Sequence, residues 1–116
     1  MKKFLISLVV LGLGLHSGYA QNRTEYKKER NLIRVVKYYD NGQIAEKGYF
    51  KNSKLHGDWV SYSETGSKLA QGQFLNGKKT GKWFFWHMSK MTEVTFKDNK
   101  ATGAVVWEKG ALVAVN

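Results

Sequence analysis

Residues 36–59, VKYYDNGQIAEKGYFKNSKLHGDW, are followed by residues 60–83, VSYSETGSKLAQGQFLNGKKTGKW, and the second stretch is a copy of the first. Val36, Tyr38, Gly42, Gly48, Phe50, Asn52, Lys54, Gly57 and Trp59 recur 24 residues later as Val60, Tyr62, Gly66, Gly72, Phe74, Asn76, Lys78, Gly81 and Trp83. A degraded third copy continues the series with Phe96, Lys100 and Gly103, now 22 residues on. Repeats of this length stack on one another to bury what one copy cannot, and their natural product is an extended scaffold and binding surface.

Within the copies the chain breaks about every twelve residues: Asp40-Asn41-Gly42, Asn52-Ser53, Glu64-Thr65-Gly66, Asn76-Gly77, Met88-Ser89, Asp98-Asn99 and Lys109-Gly110. Asn-Gly and Asp-Asn pairs tolerate the positive φ angles that tight hairpins require. Between the breaks lie short runs rich in Tyr, Trp, Phe and Val, the composition of strands. The fold class expected is all-β: an antiparallel hairpin meander of seven or eight strands, drawn out into an elongated twisted sheet. Gly48 and Gly72 fall inside strands, where glycine weakens a ladder. Their recurrence suggests a packing purpose, the missing side chain letting an aromatic of the next strand, Trp59/Tyr62 or Trp83/Trp86, lie across the backbone.

Outward from the repeats, residues 1–20 have the features of a secretory signal peptide. Lys2 and Lys3 are followed by an apolar run from Phe4 to Leu15 and by Gly18-Tyr19-Ala20. Twelve positions fall short of the roughly 20 apolar residues that a transmembrane helix needs. Cleavage near Ala20 would make the chain an exported protein, periplasmic or secreted, that starts at Gln21. Residues 21–31 (QNRTEYKKERN) show no apolar order and are expected to form a flexible polar lead-in or a frayed helix before the repeat domain of residues 32–116. The chain contains no Cys, which excludes disulfides and lipidation at a cysteine.

Removing Lys2 and Lys3 lowers the formal charge from +10 to +8. The basic balance points to an anionic partner, and export points away from nucleic acid. In a meander alternate turns share one end of the sheet. The turns after Phe50, Phe74 and Phe96 then bring together Lys54, Lys78, Lys79, Lys82, Lys97 and Lys100, with Lys51 and His56 beside them. Equivalent residues two strands apart lie about 10 Å from one another, close to the Debye length of about 8 Å in physiological salt. Such a ladder suits a planar or repeating anion: phospholipid headgroups, an acidic polysaccharide of the envelope, or an acidic protein.

Signals for catalysis are absent from the sequence. The stretch Gly72 to Thr80 approaches a phosphate-binding loop, but Lys79 stands where Ser or Thr is needed, and a hairpin lacks the following helix. His56 and His87 have no neighbour at a metal-ligand interval. A non-enzymatic protein with no metal and no cofactor is expected.

Tyr38-Tyr39-Asp40-Asn41-Gly42, Gly48-Tyr49-Phe50-Lys51-Asn52 and Gly57-Asp58-Trp59, with their second copy, resemble the MORN repeat family in its bacterial variant of about two dozen residues per unit. The third unit departs from the pattern, with Lys90, Val94 and Val105 at the places of Gly42, Gly48 and Trp59. The resemblance implies a sheet of hairpins used for protein or membrane contact, without catalytic residues; some members are labelled antitoxins, which makes an immunity-like partner another option. A different possibility is a cell-wall or glycan-binding module in which Trp59, Tyr62, Trp83 and Trp86 box a ligand. The open ends of an unclosed meander also admit edge-to-edge self-association.

Overall fold

The structure, a computed structural model, describes residues 23–115. The signal-peptide reading of residues 1–20 and the proposed cut near Ala20 lie outside the described residues. The described chain forms ten strands: β1 (Thr24–Glu29), β2 (Leu32–Tyr38), β3 (Ile44–Lys51), β4 (Lys54–Leu55), β5 (Gly57–Tyr62), β6 (Lys68–Leu75), β7 (Lys78–His87), β8 (Lys90–Lys97), β9 (Lys100–Glu108) and β10 (Ala111–Val115). They make one antiparallel sheet in the order β1-β2-β3-β5-β6-β7-β8-β9-β10, with β4 a short piece against β3. The sheet is open, an all-β hairpin meander as the turn spacing predicts. Its Cα radius of gyration is 16.3 Å, against about 12 Å for a compact globule of this length.

One strand was not foreseen. Residues 24–29 are not a flexible lead-in: they pair with β2 over six positions, Thr24↔Lys37 to Glu29↔Leu32. Their composition hides this because an edge strand needs only its backbone groups and tolerates charge on both faces. Three contacts tie the strand down: the Tyr38 hydroxyl donates to Glu25 at 3.0 Å, the Tyr38 amide donates to the Arg23 carbonyl at 2.7 Å, and the Arg23 guanidinium lies 4.1 Å from the Tyr38 ring centroid. At the other end, β10 adds a ninth rung to the path of the sheet.

The sequence repeat is also a repeat of geometry. Tyr39 and Gln43 close the first loop, and Ser63 and Ser67 close its copy, through equivalent hydrogen bonds of 2.8 and 2.7 Å. Register shifts fall at Lys37/Tyr38 and again at Ser61/Tyr62. The loops are bonded to each other, the Tyr39 hydroxyl donating to the Tyr62 carbonyl at 2.6 Å and the Asn41 amide to the Glu64 carbonyl at 2.9 Å. Asn52/Ser53, Asn76/Gly77 and Asp98/Asn99 have both turn residues at positive φ, the type I′ geometry that matches the twist of the strands.

A single layer leaves little room for a core. Among the described residues, Val35, Val36, Ala70 and Trp83 are the buried apolar side chains, and Trp83 is only 1% exposed. Trp83 reaches that burial because Gln71 pairs with Phe84 and Gln73 with Thr80, so that Gly72 alone faces the bulged segment from Gly81 to Trp83. The indole lies across the Gly72 backbone, in the place a Cβ would take, and its N–H donates to the Gln73 carbonyl at 3.0 Å. Trp59 stands over Gly48 in the same way, one repeat earlier. Tyr62 and Trp86, the other candidates for this role, do not take it. Around Trp83 gather Trp59 at 5.6 Å, Phe74 at 5.0 Å, Phe85 at 6.0 Å and Phe96 at 6.2 Å between ring centroids.

Replacing Gly72 with Ala forces a methyl group into the Trp83 ring, whereas at Gly48 a Cβ would meet only the indole edge, 2.8 Å from Trp59 Cδ1. Urea unfolding is expected to show Gly72→Ala less stable by about 1–3 kcal/mol and Gly48→Ala less affected. The reverse order would contradict the interlock described.

Candidate functional site

The alternation of hairpins sets which turns share an end. The turns at Arg30-Asn31, Asn52-Ser53, Asn76-Gly77 and Asp98-Asn99 lie at one end of the sheet; those at residues 39–43, 63–67, 88–89 and 109–110 lie at the other. The first end is the basic edge expected from the sequence. Its turns are bonded into one surface: the Gly77 amide donates to the Leu55 carbonyl at 2.8 Å, the Asn99 amide to the Lys79 carbonyl at 3.0 Å, and the Lys79 amide to Asn99 Oδ1 at 3.2 Å. The Asn76 amide reaches His56 Nδ1 at 3.5 Å, so His56 serves as a turn-to-turn brace. Lys54 packs its methylenes beside Gly77, whose Cβ position would lie 3.8 Å from the Lys54 Cβ.

Of the six lysines the sequence brings to this edge, the structure leaves four there: Lys54, Lys78, Lys97 and Lys100, all exposed. Lys97 and Lys100 are direct cross-strand partners, and so are Lys51 and Lys54. Like charges directly opposite each other destabilise a sheet by a few tenths of a kcal/mol. Among the described residues, no ion pair to a carboxylate is found for any of these five lysines. Arg30, at φ 59° in the β1–β2 turn, extends the basic edge by one more hairpin. Sequence reasoning missed it because the segment before residue 32 read as a lead-in rather than a strand.

Lys79 and Lys82 are drawn elsewhere. The Lys79 ammonium sits over three rings, 5.4 Å from the Trp83 centroid, 5.7 Å from Phe96 and 5.9 Å from Phe74. That position caps the aromatic cluster with a cation–π contact and shields it from water. Lys82 lies on the opposite face of the sheet and pairs with Glu93 at 3.2 Å.

The four aromatic candidates are divided between the two faces. Trp59 and Trp83 share the interlocked face; Tyr62 lies beside Lys47 and Trp86 beside Lys68 on the other, with ammonium-to-ring distances of 5.9 and 6.0 Å. They therefore do not form one ligand box. Among the described residues, no three His, Asp or Glu side chains converge as metal ligands would.

Fold and edge together define a class: an open, single-layer β-hairpin repeat sheet with one cationic end. No protein-family profile matches the chain, and no curated protein matches it significantly in sequence.

Because Lys97 faces Lys100, Lys97→Glu replaces a repulsive pair with an attractive one. The variant is expected to be more stable than the parent by a few tenths of a kcal/mol in low salt, with the gain shrinking in high salt as the charges are screened. Urea unfolding at two ionic strengths measures both, and a destabilised variant would show that Lys97 is held by contacts other than charge.

Proposed function

We propose that the protein is an exported, non-enzymatic interaction scaffold of MORN-like hairpins that docks its basic turn edge onto an anionic surface of the cell envelope, the headgroups of acidic phospholipids. The observation that carries this reading is the pairing of Lys51 with Lys54 and of Lys97 with Lys100, none of them in an ion pair among the described residues although Asp98 lies in the turn between the last two. A turn chosen for stability alone would place opposite charges at such positions. Turns that are hydrogen-bonded to each other hold the backbones of these lysines at one end of the sheet, so several flexible ammonium groups can reach a planar anion without the turns first being ordered. The other end of the sheet is mixed by contrast, with Asp40 and Glu64 in its first two turns and Lys90 facing Glu108 across the ladder at the next.

Docking of this kind is electrostatic and uniform along the edge. Each lysine adds about 1 kcal/mol near an anionic membrane, and salt weakens the sum. Residues 21–116 are expected to co-sediment with vesicles containing phosphatidylglycerol in low salt, to be released in high salt, and to ignore vesicles of neutral lipid. Reversing Lys54, Lys78, Lys97 and Lys100 to Glu should abolish sedimentation while circular dichroism stays unchanged. Retained binding by the folded, charge-reversed chain would exclude the basic edge as the docking surface.

A further inference from the structure

The face opposite the aromatic interlock carries an open groove of about 650 Å³ that crosses the middle of the sheet from β2 to β7. That volume is within the range of about 300–1,000 Å³ usual for ligand sites. Its cations come from four strands: Arg34 on β2, Lys47 on β3, Lys68 on β6 and Lys82 on β7. Arg34 also faces Lys27 across the β1–β2 ladder, a further like-charge pair. Between the cations the groove shows Tyr49, Tyr62 and Phe84.

From this groove we infer a binding site for an acidic oligosaccharide, a chain of sugars bearing carboxylates, separate from the basic turn edge. Three features select this ligand. First, the groove runs across strands that each have neighbours on both sides. A peptide laid there finds no free backbone ladder, the feature on which strand-adding recognition depends; a sugar needs none. Second, the charge is sparse. The four cations are offset by Asp58 in the groove and by Glu93, which pairs with Lys82 at 3.2 Å. The net excess is spread over four strand spacings, roughly 19 Å, which suits one carboxylate per sugar better than a densely sulfated or phosphorylated polymer. Third, polar and apolar groups alternate as the faces and rims of pyranose rings do. Tyr62 and Phe84 offer flat apolar surface, which the C–H face of a sugar can cover with dispersion contacts. Beside them are planar amides: Gln71 accepts from Lys68 at 2.8 Å, and Gln73 donates to Asp58 at 3.0 Å. These amides keep further donors and acceptors for hydroxyl groups. Arg34 supplies a planar fork for a carboxylate.

The site is tested by titrating the purified full-length chain with an oligogalacturonate of about six sugars and with its methyl ester, which has the same rings but no charge, following heat release by calorimetry. The acid is expected to bind at least tenfold more tightly than the ester. Arg34→Gln, Lys47→Gln and Tyr62→Ala, each checked for folding by circular dichroism, are expected to weaken binding at least fivefold. A chain with Lys54 and Lys100 changed to Glu should bind the sugar as the parent does, which separates this site from the vesicle-docking edge. The proposal is overturned by any of four results: no saturable binding of the acid, equal binding of the ester, equal binding of a polyglutamate peptide of matched charge, or loss of sugar binding in the edge variant.

Discussion

The structure depends on one steric exchange, a tryptophan lying where a glycine has no side chain. An open single-layer sheet has no second layer to close over its aromatic residues, and a chain without cysteine has no covalent staple. Trp83 solves this within the sheet by crossing the Gly72 backbone, and Trp59 does the same at Gly48. Each contact spans two adjacent strands in the manner of a clasp. Phe74, Phe85 and Phe96 then pack edge or face against Trp83, so that one side chain is sealed in a sheet whose other large residues stay partly wet. The bulge opposite Gly72 is the local cost of this arrangement: three residues of β7 stand against one of β6.

The interlock also organises the charge. By covering the cluster with Lys79, the sheet uses one lysine as a lid and removes it from the basic edge. By pinning β6 to β7 it holds the Asn76-Gly77 turn in line with its neighbours, and the bonds between turns carry the alignment onward to Asp98-Asn99. The remaining lysines thus project from a rigid end rather than from independent loops. A preorganised row of like charges is unfavourable for the isolated protein and favourable for one that meets an anion, which is the physical content of the proposed docking role.

The two faces of the sheet hold their aromatic residues differently. On the interlocked face the rings bury one another around Trp83; on the opposite face Tyr62 and Trp86 stand beside Lys47 and Lys68, and Trp86 stacks on Phe84. The third repeat lacks the clasp, with Val94 paired to Ala104 in place of the Gly–Trp contact, and β10, the last strand of the sheet, leaves Leu112, Val113 and Val115 exposed.

Much of this architecture was legible in the sequence because it is written locally. Positive-φ turns need Asn, Gly or Asp at fixed places, and strands between them need aromatic and β-branched residues; both are properties of a few adjacent residues, so the meander, the repeat phase and the basic end could be read from residues 36–83 and their degraded copy. The Gly72–Trp83 clasp was half visible, since the recurring glycines implied an aromatic partner without saying which. Other features were decided only by the tertiary structure. Thr24–Glu29 became a strand because β2 offered it a free backbone edge, which no pattern in its own charged sequence announces. Lys79 and Lys82 left the basic edge because of partners on neighbouring strands, the rings of Phe74 and Phe96 with Trp83 for Lys79 and Glu93 for Lys82, whereas the parting of Trp83 from Trp86 follows from alternation along one strand. The bulge opposite Gly72 is likewise a tertiary feature, since it lies where Trp83 crosses the Gly72 backbone, a contact between two strands rather than a spacing within one.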